Sequence, residues 1–223
     1  MHLVNRSRRK LAATGILALA SLSLLSPVPR VEAEPPSDEV VQFDAEGNLL
    51  RPTGYREWVF VGTPVTPNEL NGGMAPFPEF HSVYIDPGSW AHYEKTGEFR
   101  DGTVFIKELI SVGATSATSG AGYFMGEFLG LEAAVKSSER FPEEPGNWAY
   151  HSFTTPGSPM EGDEMRAGMR PGAPLKDKAK AFPTAVCASC HVASAAEDMV
   201  FSQFYPVLRL SLIHISEPTR LPC

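Results

Sequence analysis

Apolar and polar side chains alternate over Phe80-His81-Ser82-Val83-Tyr84-Ile85, which predicts a strand that Asp86-Pro87-Gly88 brings to an end. Ser89 then stands as the N-cap of a helix over Trp90 to Lys95, stopped at Gly97. The clearest strand signal is Thr103 to Val112, rich in β-branched residues and bounded by Asp101-Gly102 and Gly113. Gly122 to Val135 carries apolar and aromatic residues throughout but is long for one strand, so a bend is expected at Gly126 or Gly130. Asn147 to Phe153 reads as another strand. Tyr55 to Val61 suits a short helix or a strand, whereas the prolines and the Gly72-Gly73 pair between Thr63 and Pro78 require loop. Met160 to Lys180 is poor in apolar residues and rich in Gly, Pro and charge, and is expected to be a mobile excursion. The sum is a mainly β (α+β) fold, an antiparallel sheet with a few short helices, the last of them following this excursion.

The two ends break the pattern. A basic start (Arg6, Arg8, Arg9, Lys10), an apolar run from Leu11 to Leu25 and the small residues around Val31-Glu32-Ala33 read as a cleaved signal peptide over residues 1–33. That run is shorter than the roughly 20 residues a membrane span needs, so no span is expected after cleavage, and export to an oxidising compartment is expected. Residues 34–48 are Pro- and acid-rich and read as a flexible N-terminal arm, ahead of one compact domain over residues 49–209. Residues 210–223 resemble a translated sequencing adaptor, which takes His214 and Cys223 out of any argument about ligands.

Composition adds two limits. With 43% apolar and 10% aromatic residues the chain is globular. Of its 19 basic residues five lie in the signal peptide and one in the adaptor-like tail, and of its 26 acidic residues one lies in each, leaving 13 against 24, or −11. Nucleic acid is not an expected partner; such a surface suits a basic redox protein, or serves solubility.

The chemistry is carried by Cys187-Ala188-Ser189-Cys190-His191. Cys-x-x-Cys-His spaces two thiols for the two haem vinyl groups and sets a histidine to ligate iron from below, so a covalently bound c-type haem is expected. A structural zinc site needs four ligands, and once the tail is set aside no further cysteine remains. A thioredoxin-like pair needs a βαβ setting that the pattern lacks. For the sixth iron position Met74, Met125, Met160, Met165, Met169 and Met199 are formally available, none in a recognisable ligand motif.

Two charged residues stand out within apolar strands. Lys107 shares a strand face with Phe105 and Leu109, where an ammonium is either solvated at an exposed face or else neutralised, paired or chemically consumed. Glu132 falls on the face of Phe124 and Phe128 if the strand keeps its register, a setting that raises a carboxylate pKa and suits a general base. Gly122, Gly126 and Gly130 share that parity and would leave flat backbone for a porphyrin to lie against.

Tyr55 to Val59, Thr63 to Leu70, Val83 to Pro87, Phe99 to Val104, Lys107 to Leu109, Gly122 to Gly126, Gly130 to Ala133, Phe141 to Trp148 and Cys187 to Arg209 closely resemble the cytochrome P-460 family, over nearly all of Glu46 to Arg209. That resemblance implies a periplasmic, mostly β homodimer that oxidises hydroxylamine at a five-coordinate haem and passes electrons to a small redox cytochrome. It implies that Cys187 and Cys190 hold the vinyl carbons, that His191 is the proximal ligand and that Lys107 is joined to a meso carbon of the porphyrin. Glu132 matches the family's distal carboxylate that takes protons from substrate. His81 stands where better-known members carry an arginine, which replaces a permanent charge with a group that titrates near neutral pH. Two alternatives remain open at this point. One is a cytochrome c-prime-beta-like protein that binds nitric oxide without turnover; the other is a plain electron carrier.

Overall fold

The computed structural model describes residues 40–155, 171–172 and 174–209. The signal-peptide segment, the adaptor-like tail and the larger part of the 160–180 excursion lie outside the described residues. Chain order runs β1 (Leu49–Leu50), β2 (Val59–Gly62), β3 (Phe80–Ile85), α1 (Pro87–Thr96), β4 (Val104–Val112), β5 (Ser116–Ala117), β6 (Gly120–Ala121), β7 (Met125–Lys136), β8 (Trp148–Ser152), β9 (Lys178–Ala179) and α2 (Thr184–Ser194), with short 3-10 turns between them. An antiparallel sheet in the order β2-β3-β4-β7-β8 forms the centre, flanked by the two-residue pairs β1-β9 and β5-β6. The mainly β, antiparallel expectation holds. Among the described residues no helix is long and apolar enough to cross a membrane.

Both faces of the central strand are apolar because both are covered. On one face Val104 and Ile106 of β4 lie opposite Val135 and Ala133 of β7 and are buried with Leu131, Leu49, Phe153 and Ala179. On the other, Ile85, Phe105, Ala134 and Tyr150 form one row across four strands, at an aromatic cluster of Tyr93, Phe99, Trp148 and Leu208. Tyr93 reaches that cluster from α1 and stacks on Phe99 with ring centroids 4.3 Å apart. The helix starts three residues earlier than expected. Asp86, not Ser89, is its N-cap, accepting a hydrogen bond from the Ser89 N–H at 2.8 Å, and Pro87 fills the first helical position, where a missing N–H costs nothing. Gly97 closes it at φ 73, as expected.

The long segment before Val135 does bend, and the bend changes its faces. Leu109 pairs with Gly130 but Ile110 with Phe128 and Val112 with Met125, so β7 carries extra residues at two bulges. Phe128 therefore packs on the first cluster, away from the face of Glu132, which overturns the phenylalanine-lined setting expected for that carboxylate. The glycine platform is corrected too. A Cβ at Gly130 would sit 2.1 Å from Thr154 Oγ1 and one at Gly126 2.6 Å from Ser111 Oγ, so these glycines serve close chain approach. Of the N-terminal arm, residues 40–48 are described and are docked: Val40, Val41 and Phe43 pack against the first cluster. The end of the 160–180 excursion is likewise anchored, with Leu175 bridged to Thr154 and β9 paired with β1.

His151 is fully buried in the first face; its Nδ1 pairs with the Ala179 carbonyl at 3.1 Å, and its Nε2 has no partner. Burial holds its pKa below the ordinary histidine value. On acidification the unfolded chain takes up this proton first, so stability falls as pH drops through about 6.5 towards the lower folded value. In urea titrations at about pH 7 and pH 5, His151→Leu is expected to lose less stability across that interval than the parent protein. Equal losses would assign the pH dependence elsewhere.

Candidate haem site

The second face of the sheet continues past the aromatic row into a polar one. Val83, Lys107, Glu132 and Ser152 stand side by side on β3, β4, β7 and β8, and His81, Leu109 and Gly130 form the next row. Direct opposition in the ladder brings Lys107 Nζ to 2.7 Å from Glu132 Oε2, with about a third of each side chain exposed (33% and 29%). Of the fates open to an ammonium on this face, the structure shows pairing. Burial pulls the Lys107 pKa down, but the Glu132 carboxylate outweighs it and the amine ends above the ordinary lysine value.

On α2, Cys187, Cys190 and His191 sit at helical spacings of three and four residues and so share one side of the helix. Cys187 is half-buried; burial first and the nearby Glu132 carboxylate second push its thiol up to about 11, with Lys107 acting the other way. The attachment motif and the charged pair therefore lie in one electrostatic neighbourhood. His191 is held between the rings of Tyr150 and Phe201, 4.6 and 4.7 Å away, and its Nδ1 bonds the Met199 carbonyl at 2.6 Å. Burial keeps its pKa below the ordinary histidine value, which favours the neutral, ligating imidazole.

The Met199 carbonyl is offered by an unusual turn. Glu197 and Val200 pair across it, and its two central residues both have positive φ, Asp198 at 40° and Met199 at 65°. Such a turn favours Asn or Asp followed by Gly, and a side chain in the left-handed region costs about 1–2 kcal/mol. Lys136 secures it, with Nζ 2.8 Å from Asp198 Oδ2, 3.0 Å from Oδ1 and 2.8 Å from the Gly146 carbonyl.

His81 also meets a partner that the sequence did not announce. Its Nε2 lies 3.2 Å from Oε1 of Glu79, a carboxylate only 4% exposed, and its ring contacts Phe77. Burial alone would raise the Glu79 pKa; the His81 hydrogen bond and the charges of His81 and Lys107 reverse this and hold it below the usual carboxylate range.

A family model for cytochrome P460 matches residues 52–202, which takes in the five-stranded sheet, α2 and every site residue named above. The chain belongs to the cytochrome P460 family. A search of curated proteins found no match. As a cytochrome P460 it is a c-type haem protein, and some members of the family oxidise hydroxylamine.

The residues fit that group. Thiols three residues apart face one way, and the imidazole beside them donates its Nδ1–H to a carbonyl, which leaves the Nε2 lone pair as the metal donor. Among the methionines, Met74 is 80% and Met125 48% exposed, and Met125 is roughly 20 Å along β7 from Glu132. Met199 meets His191 through its backbone carbonyl, on Nδ1. Met160, Met165 and Met169 lie outside the described residues. Two functional features escape the sequence altogether, Glu79 and the Met199 carbonyl. The first lies in a proline-rich loop whose burial is purely tertiary, and the second is a backbone atom.

In the haem-free precursor of this cytochrome P460, Glu132→Gln is expected to drop the Lys107 amine below the ordinary lysine value, because burial then acts without its main counter-charge. An NMR titration of the Lys107 ammonium reads this directly. A value that stays high would transfer the effect to another group.

Proposed function

We propose that this cytochrome P460 is an exported, periplasmic, homodimeric mono-haem enzyme that oxidises hydroxylamine to nitrous oxide and/or nitrite at an open iron position. The observation that carries the reading is the Lys107–Glu132 pair on the sheet face that adjoins Cys187. A gas binder or an electron carrier has no use for an amine and a carboxylate placed together there.

In this reading Cys187 and Cys190 would hold the haem as thioethers, His191 would supply Nε2 to iron, and Lys107 would be joined to a meso carbon of the porphyrin. Haem, when bound, supplies the electron sink and the open coordination position. That link would exchange one N–H of the neutral amine and the C–H of the meso carbon for an N–C bond, with two protons released and two electrons passed to an external oxidant. It would take away the ammonium charge that otherwise neutralises Glu132 and leave the carboxylate free to accept protons from substrate. His81, oriented by Glu79, stands one row along the same face and would hydrogen-bond the bound nitrogen species. Two hydroxylamines become one nitrous oxide and one water with release of four protons and four electrons, so an external electron acceptor is required. The acidic surface suits a small basic redox cytochrome for that part.

The optical spectrum of the reduced protein separates this enzyme from its two rivals. A strongly red-shifted Soret band is expected in the parent protein and its loss in Lys107→Leu; an unchanged spectrum in the variant would sink the cross-link. A low-spin spectrum in the parent would instead indicate the electron carrier. Glu132→Ala is expected to bind hydroxylamine but to slow its oxidation by about 10²–10⁴-fold in stopped-flow turnover. Turnover that survives intact would remove Glu132 from its role as base.

A further inference from the structure

Lys136 lies on the same face of β7 as Glu132, four residues further along, yet its ammonium takes no part in the Lys107 pair. It is directed instead into the Glu197–Val200 turn, where it spends three hydrogen bonds on Asp198 and the Gly146 carbonyl and lies 5.5 Å from the Trp148 ring centroid. Its side chain is only 15% exposed. Among the described residues just three other than glycine have positive φ, and two of them, Asp198 and Met199, are the centre of this turn. Gly146 closes on it as well: a Cβ there would come within 3.0 Å of both Asp198 Oδ1 and Met199 Cγ. Backbone strain persists only where its surroundings over-determine it, and here the strained residue is the one whose carbonyl receives the His191 Nδ1–H.

We infer that Lys136 and Asp198 are positioning residues for the metal ligand: the ion pair clamps the left-handed turn so that the Met199 carbonyl stays on His191 Nδ1. This rests on the reading of His191 as the proximal ligand. A carbonyl accepting from Nδ1–H fixes the tautomer that leaves Nε2 for the metal and gives the imidazole more anionic character, which strengthens its bond to iron and favours the oxidised state. Opening the clamp therefore weakens the iron–histidine bond and raises the midpoint potential, although neither Lys136 nor Asp198 touches the haem ligand itself.

The test is resonance Raman spectroscopy of the ferrous holoprotein, with a redox titration beside it. In Lys136→Met, which keeps the apolar stem, the iron–histidine stretching band is expected to move to lower frequency and the midpoint potential upward, and Lys136→Arg is expected to restore both. Should Lys136→Met fail to fold, Asp198→Gly decides, since glycine adopts the turn freely but cannot anchor it. Met199→Gly keeps the carbonyl in a favourable backbone and is expected to leave the band in place. Band and potential unchanged in a folded Lys136→Met or Asp198→Gly protein would overturn the clamp. A parent protein without any iron–histidine band would overturn the assignment of His191 itself, and the inference with it.

Discussion

An ammonium and a carboxylate on an apolar sheet face are tolerable only opposite one another, and the register that places Lys107 against Glu132 governs the rest of the site. That register is not secured by the pair. The same ladder sets Val104 against Val135 and Ile106 against Ala133 on the reverse face, where all four are buried. A slip of one residue would carry those side chains to the other face and turn a charge of the pair into the buried first cluster, away from its partner. Water exclusion on one side of the sheet thus fixes the chemistry on the other.

The two halves of the site are built differently. The charged pair and His81 belong to the ladder, whose geometry is repetitive and stiff. The helix α2 that carries Cys187, Cys190 and His191 is short, and its histidine is oriented by groups from outside it: the rings of Tyr150 and Phe201 and the Met199 carbonyl. β7 serves both halves, because Glu132 and Lys136 project from one face of it about 13 Å apart.

Period-two alternation made β3 readable from the sequence almost to the residue, and β-branched content between Asp101-Gly102 and Gly113 did the same for β4, while the Cys187 to His191 spacing marked the segment that forms α2. Lys107 and Glu132 stood out because a charge inside an apolar run is anomalous on any face. Their pairing did not, since cross-strand register depends on chain segments 25 residues apart in sequence. Phe128 was assigned to the wrong face for a related reason: parity counting assumes an unbroken ladder, and a bulge inverts it. Ser89 looked like a helix cap because its side chain is of the right type, but Asp86 precedes Pro87 and accepts from the N–H of Ser89 itself. Glu79 was out of reach, because nothing in a proline-rich stretch signals which of its carboxylates will be buried.

The two bulges in β7 have a mechanical meaning. They divide the strand into an inner segment, locked in phase with Lys107, and an outer one that runs out to the β5-β6 hairpin. A residue gained or lost in that hairpin can be absorbed at a bulge without turning Glu132 over. The outer end of the sheet is therefore where this protein can change length while its charged pair stays in phase.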